Sequence, residues 1–377
     1  MTRFGFLNGV LNSVLGVVAF GFLAFAAAPQ SHAAETASFD DTAKFLAGMP
    51  PSDSSPLAAL TKDKTWQQHA KTMDKAFATV EKSPLSQIRA WSAANIKSHQ
   101  PTLFYMFSGP DFLFADAFFP QATTYVMAGL EPTGDIPDLM KARRGGGIAG
   151  LGHLEASMRT LLSLSFFITV DMREKLNESA LRGTIPILYV FLARSGKQVR
   201  NVSLVYIDGE GAVQPEDKKA KSSARGVKIV FAAADGRERT LYYFVTNLDN
   251  AGTKTGGFLK FMKKLGPADS FHKSASFLMH GTQFTRIRDF IVANSTTVVQ
   301  DDSGIPYRFF EEKDWELQAF GRFPEAMSLF PEGYQPKFRD LFRKDRAGKL
   351  DFGIGYRHRA GESNLLLAVR KAKAAAR

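Results

Sequence analysis

The sequence contains no cysteine. Disulfides, a thiol nucleophile and cysteine-ligated zinc or iron–sulfur centres are therefore excluded. Tryptophan is scarce, at three residues. Histidine is scattered: His69, His99, His153, His272, His280 and His358 include no close pair and no H-E-x-x-H. A zinc site would have to be assembled from distant residues. The G-x-S-x-G elbow of many serine hydrolases is missing, and so is a phosphate-binding P-loop. No internal repeat is present. These absences leave no complete catalytic constellation, and neither a cofactor nor a metal is assigned from sequence.

What is abundant is phenylalanine, 33 residues of 377, in a chain that is 45% apolar and 23% charged. That composition is globular, and the length permits one large domain or two to three smaller ones. Phenylalanine brings apolar area without a polar atom to satisfy, so a large packed core is expected. The formal charge of +11 is uneven: Lys337–Arg377 carries 12 Lys/Arg against 4 Asp/Glu. A basic C-terminal segment is drawn to anionic surfaces in general, and does not by itself indicate nucleic acid.

Residues 1–33 read as a signal peptide. Arg3 supplies the positive start, Val14–Ala28 the apolar stretch, and Ser31-His32-Ala33 the small residues at a cleavage site. After cleavage no segment is long and apolar enough to span a bilayer. The expected location is the periplasm or the extracellular space, which argues against ATP or NAD(P)H chemistry.

Residues 34–100 read as a helical region. Trp66, His69, Met73, Phe77 and Val80 share one helical face, and Ser83-Pro84 starts a second helix with Ser83 as N-cap. An α+β core is expected over 101–335. Thr102–Phe107 and Thr123–Leu130 are apolar runs of strand length, with a short helix between them ending at Pro120. Arg143–Gly152 leads into a helix bearing Leu154, Met158 and Leu161, and Asp171–Leu181 reads as another. Four strands follow, Ile185–Ala193, Val199–Ile207, Val227–Ala233 and Thr240–Thr246, with hairpin turns at Ser195-Gly196 and Asp235-Gly236. Asp208–Gly226 reads as a Lys-rich mobile loop. A helix over Gly257–Leu265 stops at Gly266-Pro267. Ser274–His280 reads as a strand, Thr282 as the N-cap of a helix, and Thr296–Gln300 and Glu316–Phe320 as strands. Residues 336–377 read as a short basic segment. The fold class is α+β: a helical N-terminal region, then a mixed, largely antiparallel sheet with flanking helices.

Candidate site residues concentrate in Thr102–Leu139, which holds six of the phenylalanines. Ser108 lies in a Ser-Gly-Pro-Asp turn that resembles a nucleophile turn but lacks its glycines; a helix cap by Ser108 or Asp111 is the competing reading. Asp111, Asp116, Glu131 and Asp135 sit among aromatic residues, where a half-buried carboxyl acquires the raised pKa of a general acid or base. Asp301 and Asp302, at a strand end, form an oxygen-rich pair suited to Ca²⁺ or Mg²⁺, with His280 beside them if the two strands are neighbours. The glycine runs at Gly145–Gly147 and Gly256-Gly257 precede helices and offer backbone N–H groups to an anion, with flexible loops as the simpler reading.

The strings Leu103–Leu113, Ala117–Pro120, Gly129–Pro132, Ser276–His280 and Gln300–Tyr307 resemble a family of exported bacterial proteins of uncharacterised function. The resemblance implies one exported globular unit and carries over no chemistry. The functional expectation is a soluble exported protein binding a small molecule or an anionic envelope component near the Ser108–Asp116 turn. A periplasmic hydrolase using Asp and His groups, and a scaffold of the cell envelope, are the alternatives.

Overall fold

A computed structural model describes residues 36–142, 148, 150–165, 181–327, 330, 335–344 and 347–372. The chain enters the fold through helices. Helix α1 (Phe39–Leu46) starts at Ser38, whose hydroxyl accepts the Asp41 N–H at 3.0 Å. In α2 (Lys64–Val80) the buried residues are Trp66, His69, Met73, Phe77 and Val80, the face read from sequence. Asp63 caps it by accepting the Thr65 N–H at 2.7 Å. Helix α3 (Ser86–Asn95) starts later than expected. Ser83 is extended, and its hydroxyl donates to the Gln87 side chain instead of capping a backbone N–H.

The aromatic stretch forms a compact βαβ unit: β1 (Thr102–Tyr105), α4 (Phe112–Phe118) and β2 (Thr124–Gly129). Asp111 caps α4 by accepting the Phe114 N–H at 3.2 Å. Helices α5 (Leu139–Ala142) and α6 (Leu151–Leu164) follow. The expected helix over Asp171–Leu181 falls almost wholly outside the described residues.

Ile185–Ala193 is a helix and not a strand. Helix α7 (Ile185–Arg194) has Pro186 in its first turn and nine consecutive buried residues. A run buried on every side has no period, so its pattern does not separate a buried helix from a buried strand. Ser195-Gly196 consequently ends a helix and does not turn a hairpin: Ser195 N–H donates to Phe191 O at 2.9 Å and Gly196 adopts φ +69°.

Strands β3 (Gln198–Ile207), β4 (Val213–Pro215), β5 (Arg225–Ala232) and β6 (Glu238–Val245) form the antiparallel wing. The Lys-rich loop is thus partly ordered by β4, which pairs with β3. Helices α8 (Asn250–Thr255) and α9 (Phe258–Lys264) lead to β7 (Ala268–His272). The strand expected at Ser274–His280 lies earlier, and that segment is a 3-10 helix. Its extended run is broken by Ser274, at φ +57°. Helix α10 (Thr285–Asn294) starts beyond Thr282, which makes no cap. Next come β8 (Ser295–Gln300), β9 (Trp315–Gly321), α11 (Pro336–Lys344) and β10 (Asn364–Arg370). The basic C-terminal segment therefore supplies a buried strand that its charge count concealed.

Among the described residues the strands make one ten-stranded sheet, ordered β4-β3-β5-β6-β2-β1-β7-β8-β10-β9. The mixed α+β sheet expected from sequence is present. Its antiparallel pairs lie in the two wings, while β6, β2, β1, β7 and β8 are mutually parallel. Helix α4 covers one face with the N-terminal helices, and α9 and α10 cover the other. The chain leaves β1 toward β2 over the first face. It leaves β7 toward β8 over the second. Where neighbouring strands depart in opposite directions, a crevice opens at their carboxyl ends.

Phe271 of β7 packs its ring 4.7 Å from both Tyr105 and Phe118 and is fully buried. Phe271→Ala is expected to cost about 3–5 kcal/mol of unfolding free energy, measured by urea denaturation.

Candidate functional site

The carboxyl ends of β1 and β7 are marked by strain. Among the described residues, Phe107, Ser165 and Ser274 are the non-glycine residues with positive φ, at 59°, 61° and 57°. Each such residue costs on the order of 1–3 kcal/mol unless its surroundings hold it. Phe107 lies two residues past β1, and Ser274 two residues past β7. Ser165 joins them through its hydroxyl, which donates to Gly355 O at 3.3 Å.

Beneath the crevice lies a buried charge cluster. Asp111 Oδ2 accepts the Tyr105 hydroxyl at 2.8 Å and pairs with Lys273 Nζ at 2.8 Å. The two charged side chains are 2% exposed or less. Lys273 also donates to Ser165 O and sits 4.6 Å above the Phe114 ring. Burial raises the Asp111 pKa, and the opposing pull of Lys273 and Tyr105 does not fully offset it. Burial and the Asp111 charge push the Tyr105 phenol far up.

Asp301 follows β8 and joins this cluster: Lys273 acts on it electrostatically, and it acts on Tyr105. Its Oδ1 accepts the Ser303 N–H at 3.0 Å and the Ser303 hydroxyl. Burial and the adjacent Asp302 charge push it up to about 7. Burial likewise raises Asp302, against the Arg357 guanidinium at 3.2 Å. Gly355 closes over this corner at φ +59°, and a Cβ there would stand 1.9 Å from Asp301 Oδ2. Burial, then the Asp301 charge, lifts the neighbouring Tyr356 to about 12. His272, the last residue of β7, is kept neutral by burial, which pushes it down to about 3.

Two chambers open above the cluster. The larger, about 430 Å³, is lined by Phe277, Phe284, Phe330 and Tyr356 together with His280, Asp302, Ser303 and Arg308. The smaller, about 140 Å³, is lined by Phe107, Gly109, Glu131 and Ala275. Leu278 and Phe284 border both. Larger depressions of about 830 and 900 Å³ lie beside α1 and beside α11, away from the strand ends.

The residues singled out in the sequence divide into two groups. Asp111, Asp301, Asp302 and His280 gather at this edge, with His280 on the 3-10 helix and not on a strand. Ser108 is beside them but buried, and its hydroxyl donates to Gly109 O at 2.7 Å and Ala128 O at 3.4 Å. That donor is already used within the turn, and Asp111 performs the capping. Asp116 is elsewhere. Helix α4 runs back along the sheet, so Asp116 meets Lys197 at 3.0 Å and Tyr125, near the start of β2, at 3.2 Å. This is the opposite edge, and burial raises Asp116 there. Glu131 accepts the Tyr243 hydroxyl at 3.2 Å under the smaller chamber, while Asp135 is exposed. Gly257 packs against Asp208 O, where a Cβ would come within 1.8 Å, so Gly256-Gly257 is a close-packing device. Gly145–Gly147 lies outside the described residues. Among the described residues no three His, Asp or Glu groups gather as metal ligands. Sequence reasoning passed over Lys273, Ser274, Gly355 and Arg357. With β7 placed at 274–280, Lys273-Ser274 could not be read as following a strand.

The fold and the cleft define a mixed α/β arrangement with its crevice at the carboxyl ends of the parallel strands. No protein-family model, curated protein or solved structure matches this chain.

Lys273→Met strands the Asp111 carboxylate and is expected to cost about 3–5 kcal/mol in denaturant titrations, most of it recovered by adding Asp111→Asn. The Asp301 carboxyl holds its proton more tightly folded than unfolded. Its contribution is therefore present at low pH and lost as pH rises from about 4 to about 7. Asp111, Asp116 and Asp269 slope the same way. Asp301→Asn is expected to flatten the fall in stability across that window, followed by melting temperature against pH.

Proposed function

We propose that this is an exported protein that binds a small, largely apolar ligand with a hydrogen-bonding head in the joined chambers. The observation that carries the reading is the cavity itself: an aromatic chamber of about 430 Å³ with a few polar groups at one wall, at the switch point of a parallel sheet. Phe277, Phe284 and Phe330 offer the body of the ligand its surface. Ser303, His280 and Arg308 offer its head donors and acceptors. The export signal read in residues 1–33 supports an origin of the ligand in the cell envelope or outside it. The basic residues of α11, Lys337, Arg339, Arg343 and Lys344, support contact with anionic envelope material as a separate, weaker attraction.

Calorimetric titration with a series of aromatic and medium-chain acids, alcohols and esters tests the reading. At least one is expected to bind, and Leu278→Trp, which fills the wall common to both chambers, is expected to abolish the heat. Equal binding by the filled variant would remove the cavity as the site.

One observation favours a second reading, a hydrolase. The Asp301 carboxyl is buried, hydrogen-bonded to cavity-lining Ser303, and raised by burial and the adjacent Asp302 charge, as a proton-exchanging group requires.

A further inference from the structure

We propose that Ser274 is the nucleophile of a carboxylic-ester-hydrolysing site at the end of β7, with Asp301 as its general base. The inference rests on the hydrolase reading and names its attacking group.

Ser274 opens the 3-10 helix that follows β7 after Lys273, at φ +57°. A strained strand-to-helix turn of this kind is how a serine hydroxyl is raised above the end of a sheet. Here the position is the strand that borders the switch-point crevice. Strain at a non-glycine residue persists only where the surroundings enforce it.

The second observation is independent of the backbone. Ser274 is 7% exposed, and its Oγ is buried with no hydrogen-bond partner among the described residues. A buried hydroxyl without a partner calls for an explanation. Ser108, Ser165, Ser276 and Ser303 nearby are all hydrogen-bonded. Ser274 is thus the hydroxyl of this cluster that is held back from internal bonding.

The third observation places a candidate base near the hydroxyl, without a hydrogen bond between them. A Cβ on Gly355 would lie 1.9 Å from Asp301 Oδ2 and 3.3 Å from Ser274 Oγ, so the two oxygens flank one point on the Gly355 backbone. Burial and Asp302 hold that carboxyl near neutrality. Lys273, committed to Asp111, fixes the turn from the other side. Ser274 itself lines neither chamber and its Oγ is buried, but its neighbour Ala275 lines the smaller, and Tyr356 and Ser303 line the larger.

The chamber selects the substrate class. Phe277, Leu278, Phe284 and Phe330 suit an apolar acyl or alcohol group. Among the described residues lining the chamber, Arg308 is the one arginine or lysine, and a phosphate dianion calls for several, so a neutral carboxylic ester fits better. In the first step Ser274 Oγ bonds to the ester carbonyl carbon as its proton passes to the Asp301 carboxylate. Collapse of the tetrahedral adduct breaks the acyl C–O bond, and the departing alkoxide takes the proton from Asp301. Water then repeats the sequence on the acyl-serine. The acid is released, and the serine hydroxyl and Asp301 carboxylate are restored.

The test uses the full chain, a fluorophosphonate probe read by peptide mass spectrometry, and hydrolysis of p-nitrophenyl butyrate. The probe is expected on Ser274. Ser274→Ala is expected to lower hydrolysis by at least about a hundredfold, as loss of the attacking group does. Ser274→Gly relieves the strain, so it is expected to lose hydrolysis while its melting temperature rises. The wild-type rate is expected to climb with pH through about 7, and Asp301→Asn to remove that limb. Undiminished hydrolysis in Ser274→Ala, or labelling of another residue, overturns the nucleophile and leaves the hydrolase reading standing. A wild-type protein that neither hydrolyses the ester nor takes the probe overturns both.

Discussion

The ion pair between Lys273 and Asp111 is the constraint on which this edge of the protein depends. It joins the end of β7 to the cap of α4, and Tyr105 closes it from the end of β1. Two neighbouring segments, the end of β1 and the cap of α4, are tied at one carboxylate to a third far along the chain. In a medium this dry, either charge alone would be prohibitive, so neither segment can move without the other. The left-handed turn at Ser274 directly follows Lys273, one end of this tie. The chambers near it are walled largely by phenylalanine.

The two edges of the parallel sheet answer the same problem differently. At the amino edge, Asp116 is matched by Lys197 and Tyr125, with the Arg239 charge acting on it as well. At the carboxyl edge, carboxylates outnumber their cations: Asp111, Asp301 and Asp302 share Lys273 and Arg357. Burial, and then the surplus negative charge of Asp302, raise Asp301.

Much of the fold was legible because its signals were local. The period of Trp66, His69, Met73, Phe77 and Val80 specified α2, and apolar runs flanking a short helix specified β1-α4-β2. Where the signal was non-local, reading failed. Ile185–Ala193 carries strand-like residues in a helix because burial on all sides erases the period. Strand β10 is a run of leucines amid basic residues and finds meaning only between β8 and β9. For the site, Asp111, Asp301, Asp302 and His280 were visible as residues in patterned turns. Asp116 was drawn in by nearness in sequence, though one helix length carries it to the far edge. Lys273 and Ser274 were hidden because β7 ends two residues before Ser274 and no motif announces that.

The position of β10 has a consequence for the order in which the molecule can be assembled. Strand β9 reaches the main sheet only through β10, which pairs with it on one side and with β8 on the other. A chain emerging from its amino end would have β8 ready long before its neighbour exists. Until residues 364–370 arrive, β8 presents an open edge and β9 has no sheet to join. The wing therefore closes last, by insertion of a late strand between two early ones, and such long-range pairing is intrinsically slow. A protein built this way is poorly suited to folding piece by piece. Its last step is the pairing of both edges of one strand at once, which completes β8 and brings β9 into the sheet.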